Sequence, residues 1–463
     1  MKKLRPPIVT VLGHVDHGKT TLLDAIRKTK VVTKEAGGIT QRIGASVVTT
    51  KENKKITFID TPGHVAFSSM RSRGAKVADI AVLVVAADDG VKPQTKEALK
   101  HIIEAEIPYI VAITKIDLPA ADVNSVRGQL EKIGVLFEGR GGQVPQLAVS
   151  GKTGKEIEAL LEMVILVAEV NEIKADSQGD LEAVVIETSK DKRGPLVSAV
   201  VRNGTLQVTQ KIVADGVPGK VKGLFDDEGK SIKQVIPGHP GQILGFGELP
   251  PVGSRVRFLG EEKKIQKEEK RALGKEVGED QIPFIIKAQT RGSLEAILEN
   301  LPEKAVVISS GIGGINESDI FLAKPAGAYI LAFETKASST VAKLAGTEGV
   351  SIEKFDVIYK LFERIEELIK KSEKEVLGKA QVLASFPYNK KKVAGCKVVS
   401  GRITKTKKLI LMRDEKELGE AKIVSMKKEK QKIIEAKEGE EFGVVLKPQL
   451  DFKIGDMLVS VTQ

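Results

Sequence analysis

The sequence predicts a multidomain chain of mixed class, α/β plus β, on three observations. From residue 8 to about 170, short β-branched runs alternate with stretches of helical spacing. Over residues 181–258, and again from 379 to the end, the runs shorten and glycines and prolines separate them, as in small barrels. Between these regions lie a second alternating stretch and one long amphipathic segment. At 463 residues the chain has room for three or four domains, each with its own core.

In the first region IVTVL, KITFID, IAVLVVAA, YIVAITK and QLAVS read as strands, and TTLLDAIRK, QTKEALKHIIEAE and GKEIEALLEMVILVAEV as helices. Strands alternating with helices call for a parallel sheet covered on both faces, which sets a first domain at residues 1–174. NEIKADSQGD, residues 171–180, is polar and reads as a linker into a barrel at 180–260. A charged run, EEKKIQKEEKRALGKE, leads to an α/β unit at 281–355, where IPFIIKA and AVVISS are strands and GSLEAILENL is a helix. In residues 356–377 Val357, Ile358, Leu361, Ile365, Leu368 and Ile369 recur near the helical period. A helix of about 20 residues there would span about 30 Å. Residues 379–463 are again strand-like.

That last block repeats the first barrel at an offset of about 200 residues. Val201, Gly204, Leu206, Ile212 and Val213 match Val398, Gly401, Ile403, Leu409 and Ile410. Gly241 and Gly245 match Gly439 and Gly443, and Val252 and Gly253 match Ile454 and Gly455. Two related barrels are therefore expected.

The formal net charge is +11 with a pI near 9.3, which favours acidic partners such as nucleic acid. Residues 379–463 carry 19 Lys and Arg against 11 Asp and Glu, so +8 of the +11 falls on the last block. A solvated lysine-rich surface would produce the same excess. A single cysteine, Cys396, excludes an internal disulfide framework and suits a reducing compartment. MKKLRPP is followed by only five apolar residues before Gly13, too few for a signal sequence, and no run reaches membrane-spanning length. A soluble, cytoplasmic chain is expected.

GHVDHGKT, residues 13–20, fits G-x-x-x-x-G-K-[ST] behind a strand and ahead of a helix, the context a phosphate-binding loop needs. Its backbone N–H groups would curl around phosphate oxygens, Lys19 would reach the β- and γ-phosphates, and the Thr20 hydroxyl would ligate Mg²⁺. DTPGH, residues 60–64, follows the second strand. There Asp60 suits Mg²⁺, Gly63 has an N–H for the γ-phosphate, and His64 would stand beside the attacking water to orient it or take its proton. A zinc site from His14, His17 and His64 is the competing reading, with no fourth ligand in view. TKID, residues 114–117, ends a strand. Asp117 can accept both guanine N1–H and N2–H₂, while Lys115 lies along the base. SGKTG, residues 150–154, supplies backbone N–H groups for guanine O6. A carboxylate matched to two base donors is left unpaired by the wrong base, so guanine selection should be strong.

These motifs, with GGITQRIGA at 37–45, resemble the translational GTPases, and GGITQ points within them to bacterial initiation factor two. DKRGPLVSAVVRNGTL, IIKAQTRGSLEAI, GIGGINESDI, VIYKLFERI and VAGCKVVSGRI are similar in order and spacing to that family's later domains. The likeness covers essentially the whole chain and lacks the long, variable N-terminal extension many members carry. It implies a P-loop GTPase domain, a β-barrel, an α/β sandwich domain, a connecting helix and a C-terminal β-barrel. It implies a GTP/GDP and Mg²⁺ site built from Gly13, His14, Val15, Asp16, His17, Gly18, Lys19, Thr20, Thr21, Thr40, Asp60, Thr61, Pro62, Gly63, His64, Thr114, Lys115, Asp117, Ser150, Gly151 and Lys152. Thr40 would join Thr20 and Asp60 at the metal, in a switch that Gly37 and Gly38 leave mobile, and Val15 and Ile39 would gate His64.

The implied partners are the 30S and 50S ribosomal subunits with their rRNA, and initiator formylmethionyl-tRNA, bound by a monomer with no membrane. The tRNA end would meet Cys396, Lys427, Lys428, Glu441 and Gly443. Three positions depart from the family pattern: Thr114 stands for asparagine, Glu429 for an aromatic residue, and Phe442 for a second cysteine. A specialised elongation or recycling GTPase shares the fold, and a GTP-gated scaffold without hydrolysis shares the pocket. Ribosome-stimulated turnover separates the scaffold from the rest.

Overall fold

A computed structural model of the chain describes residues 2–28, 40–63, 65–191, 193–260, 281–372, 376–388, 391–414, 416–429 and 431–461. They form two compact units, Met1–Ile365 and Glu366–Gln463.

The first domain has a six-stranded sheet of β1 (Ile8–Gly13), β2 (Gly44–Thr49), β3 (Lys55–Asp60), β4 (Ile80–Ala86), β5 (Tyr109–Thr114) and β6 (Gln146–Ala148), in spatial order β2-β3-β1-β4-β5-β6. All neighbours are parallel except β2 and β3. β1 and β4 are buried along their whole length, which explains their unbroken apolar runs. Alternate residues feed opposite cores. Val9, Val11, Val82 and Val84 meet α1 (Lys19–Arg27) and α5 (Ile157–Val170). Leu12, Ala81, Leu83 and Val85 meet α3 (Pro93–Glu104) and α4 (Val123–Lys132). A short helix, α2 (Ser68–Val77), follows the second phosphate-side loop.

The next domain is an antiparallel barrel of β7 (Glu182–Asp191), β8 (Gly194–Asn203), β9 (Lys211–Ala214), β10 (Val217–Phe225), β11 (Pro240–Phe246) and β12 (Arg255–Phe258). Its ring runs β9-β12-β7-β8-β11-β10 and closes from β10 onto β9. A parallel four-stranded sheet follows, of β13 (Ile282–Ala288), β14 (Ala305–Ile312), β15 (Tyr329–Phe333) and β16 (Ile352–Phe355), in order β14-β13-β15-β16. It carries α6 (Arg291–Glu299), α7 (Glu317–Ala326) and α8 (Ser339–Glu348). The amphipathic segment forms α9 (Ile358–Ser372), 15 residues and so about 22 Å. It is shorter than the helical periodicity predicts, because Val376 already begins a strand.

The last barrel comprises β17 (Val376–Tyr388), β18 (Lys391–Thr404), β19 (Lys408–Arg413), β20 (Lys416–Lys428), β21 (Glu441–Lys447) and β22 (Met457–Val461). Its ring, β19-β22-β17-β18-β21-β20, repeats the first barrel strand for strand. The equivalence extends to single hydrogen bonds. Gly253 N–H donates to Val185 O at 2.8 Å, and Gly455 N–H to Val382 O at 2.9 Å. Gly204 and Gly401 share a left-handed φ, +70° and +68°, at equivalent positions where a Cβ would strike backbone. One sequence match is corrected. Gly238 N–H donates to Val201 O and Gly439 N–H to Val398 O, so Gly439 corresponds to Gly238, not to Gly241. The β19–β20 hairpin is longer than the β9–β10 one, Lys408 pairing with Lys422 where Lys211 pairs with Lys220, and this displaces the later glycines.

Candidate active site

The loop after β1 is forced by sterics. At Gly13 a Cβ would collide with the Val84 carbonyl, and Gly18, at φ +83°, caps α1 in a conformation few side chains adopt. No side chain caps α1, and its first turn carries no acid, so its N–H groups face the loop's concavity. Lys19 is buried, and its ammonium donates to His14 O. Burial lowers its pKa to about 8, against the opposing pull of Asp60 and Asp16. Gly63 packs onto Lys19, so a Cβ there would collide with the ammonium. The Thr20 and Thr40 hydroxyls lie 3.2 Å apart. Asp60 is buried with its carboxyl pushed up to about 6 by burial, against the pull of Arg27 at 3.7 Å and of Lys19. Hydroxyl and carboxylate oxygens are the donors a hard dication takes.

At the far end, Asp117 accepts from the Ser150 hydroxyl at 2.7 Å, which holds its carboxyl below the usual range. Thr114, in the asparagine position, donates through its hydroxyl to His17 O at 2.6 Å. The hydroxyl therefore does tie the base-side loop to the phosphate-side loop. Lys115 adopts a left-handed φ of +58° at the strand end.

A cavity of about 400 Å³ joins the two ends. Val15, Asp16, Gly18, Lys19, Thr20, Thr21, Thr40, Thr61, Gly63, Thr114, Lys115, Asp117, Gly151 and Lys152 all line it. Gly13, His14, His17, Asp60, Pro62 and Ser150 stand behind that wall. His17 is fully buried, its ring 3.3 Å from Asp89, and Pro62 O accepts from Arg71. Ile39 and His64 lie outside the described residues. Among the described residues His14 and His17 share their surroundings with Asp89, their candidate ligand atoms within 4.8 Å. Burial keeps His17 neutral, its pKa lowered to about 4.

Among the described residues four at the site escaped the motifs, and one of them, Leu118, lines the cavity just past TKID. Gln94, on α3, accepts from Val15 N–H at 2.9 Å, and Arg71 is buried beside Lys19. Tyr359, on α9, lines the cavity. A polar Gln or Arg inside an otherwise amphipathic helix was the only available signal.

In the last barrel the candidate tRNA residues fall on three adjacent strands, β18, β21 and β20. Gly443 pairs with Gly395 on one side and Lys427 on the other. Lys427 and Glu441 are exposed, and Lys428 pairs with Glu440 at 2.8 Å. Cys396 points into the core opposite Phe442 and Val382, where burial pushes its thiol up to about 12 and its side chain packs.

Family models match three consecutive stretches: the elongation factor Tu GTP binding domain over residues 5–170, elongation factor G domain 2 over 180–257, and translation-initiation factor 2 over 259–366. The chain is 43% identical to translation initiation factor IF-2 of Halothermothrix orenii over 99% of its length and 72% of that protein's. It is 42% identical to the Aquifex aeolicus factor of the same name, spanning 98% of this chain and 60% of that one. The solved structure of GDP-bound aIF5B from Aeropyrum pernix shares 28% identity over 99% of this chain and 92% of that one, at a TM-score of 0.45.

Proposed function

Starting from a chain that belongs to the translation initiation factor IF-2 family, and so is a translation initiation GTPase, we propose how its residues divide the work. In its GTP form it holds initiator formylmethionyl-tRNA on the small ribosomal subunit and promotes joining of the large one. It then hydrolyses GTP and leaves. It acts as a cytoplasmic monomer, and among the described residues no helix is long and apolar enough to cross a membrane.

The observation that carries this reading is the pairing of Thr20 with Thr40 over the buried Lys19 and Asp60. The loop at 13–20 and the N–H groups of α1 cradle the phosphates, and Lys19 neutralises the β- and γ-oxygens. Thr20, Thr40 and Asp60 would hold Mg²⁺, which would supply charge to offset that on the terminal phosphates. Asp117, held by Ser150, reads the two guanine donors, and residues 150–152 meet O6. Thr40 and Gly63 sense the γ-phosphate, and His64 orients the attacking water once the ribosome moves it past Val15 and Ile39. Such a site is slow alone and fast when docked. The basic last barrel, through Lys427 and its neighbours, meets the tRNA end.

GTP turnover with and without ribosomes tests the reading. Turnover should rise by orders of magnitude on ribosomes, and His64→Ala should abolish the rise while keeping GTP affinity within a few fold. Stimulated turnover equal to the unmodified chain's in that variant would remove His64 from the mechanism. No stimulation in the unmodified chain would favour a scaffold.

A further inference from the structure

Among the described residues lining the nucleotide cavity, all but Tyr359 belong to the GTP-binding domain. Tyr359 comes from the first turn of α9, beyond two intervening domains. Asp16, in the phosphate-side loop, is close enough to act on the Tyr359 hydroxyl, adding to burial in raising its pKa.

What brings the helix start there is Gln41. Its amide makes two bonds with consecutive parts of the helix entrance: Nε2 donates to Asp356 O at 2.8 Å, and Oε1 accepts from Ile358 N–H at 3.0 Å. Ile358 N–H is one of the donors a helix start leaves without an intrahelical partner, so Gln41 caps α9 from 317 residues away. Gln41 and Ile358 are both buried, at 4% and 0% exposure, where an amide bond of this kind is hard to give up.

The neighbours of Gln41 are tied just as specifically. Thr40 stands 3.2 Å from Thr20 at the metal end, and Arg42 pairs with Glu334, after β15, at 2.8 Å. Arg364, on the second turn of α9, grips Glu353 of β16 with two bonds of 2.7 and 2.9 Å. Three consecutive residues thus join the phosphate-side loop, the entrance of α9 and the parallel-sheet domain. A backbone shift that carries Thr40 away from Thr20 therefore also acts on the cap of α9.

We propose that the first turn of α9 is a working part of the nucleotide site, with Tyr359 as a binding residue against the bound guanine nucleotide and Gln41 as the positioning residue that holds it there. Two consequences follow by linkage. The helix start slows nucleotide release, and the nucleotide with Mg²⁺ in turn orders the helix start by the same factor. A GTP-binding domain taken alone, with neither Gln41's partner nor Tyr359, would lack both effects.

This inference rests on the guanine-nucleotide reading of the cavity, so retention of fluorescent GDP and of a non-hydrolysable GTP analogue by the unmodified full chain is measured first. Tyr359→Ala and Gln41→Ala should each release nucleotide about 2- to 10-fold faster, the range of one or two lost hydrogen bonds, with a matching loss of affinity. Gln41→Glu keeps the acceptor for Ile358 N–H and loses the donor to Asp356 O, so it should fall between. Lys360→Ala, exposed on the same turn, is the control and should change nothing. Amide exchange over residues 358–361 should slow when GTP analogue and Mg²⁺ bind, and Gln41→Ala should erase that difference, which a packing defect alone would not do. If the unmodified chain retains nucleotide but the Tyr359 and Gln41 variants retain it equally well, or exchange at 358–361 ignores the nucleotide, the inference falls and the guanine site stands. If the unmodified chain retains none, the reading of the cavity itself falls.

Discussion

The nucleotide cavity and the outer face of the last barrel hold their candidate residues in opposite ways. In the cavity they sit in loops at the carboxyl ends of parallel strands, where neighbours in sequence are neighbours in space. On the barrel they sit along antiparallel strands, where neighbours in sequence point to opposite sides. Cys396 and Phe442 face inward while Glu441 and Lys427 face solvent, so one step along the strand exchanges a packing role for a binding one. At its phosphate end the cavity buries Lys19, with Asp60 buried behind its wall, whereas the barrel leaves Lys427 and Glu441 in water. Single substitutions should therefore cost far more in the first region than in the second.

The largest effects come from removing either region outright. Deleting residues 379–463 should abolish protection of initiator tRNA from hydrolysis while leaving GTP retention intact. Unchanged protection would refute the assignment of the barrel. Lys19→Ala should weaken GTP binding by about 100-fold or more, since a buried cation meeting phosphate is worth several kcal/mol. Equilibrium binding measures it, and a loss of only a few fold would place the phosphates elsewhere. Gly63→Ala comes next. Its Cβ would clash with the flexible end of Lys19 and meet Val15 only at ordinary contact, so the fold should survive while GTP affinity drops about 10-fold.

How the cavity was read from sequence and the barrel face only in part follows from the same contrast. GHVDHGKT, DTPGH, TKID and SGKTG are contiguous because each is one loop, and a loop's glycines must stay at fixed offsets. The alternation of strands and helices, and the twofold barrel pattern, were legible because period and turn glycines survive in a single chain. Gly439 falls three residues from its match in the sequence pattern, because hairpin length is a weaker constraint than strand register. Gln41 and Tyr359 carried no signal of their joint role, since 317 residues separate Gln41 from the N–H it caps. Cys396 sat in a resembling motif, yet only the strand's inward phase decides that it packs.

The smaller effects sharpen the contrast. Cys396→Ser places a hydroxyl in the barrel core and should cost about 1–3 kcal/mol on denaturant unfolding, while tRNA protection per folded molecule stays unchanged. A loss of tRNA binding at full stability would restore Cys396 to the site. His17 gives the smallest signal. Its folded-state pKa, about 4, lies below the usual 6.5, so the unfolded chain takes up its proton first as pH falls. Stability from this group is complete above pH 6.5 and declines as pH falls toward 4, with Asp89 opposing and Lys19 and His14 assisting the decline. His17→Gln should flatten that stretch of the stability curve, and an unchanged slope would assign it to other groups.

Equilibrium binding of labelled GTP to the purified full chain, with Mg²⁺ present and ATP as competitor, bears most directly on the central claim. A cavity built as described retains GTP, releases it when Mg²⁺ is chelated, and ignores ATP in large excess. Failure to retain GTP with Mg²⁺, or equal displacement by ATP, would contradict it.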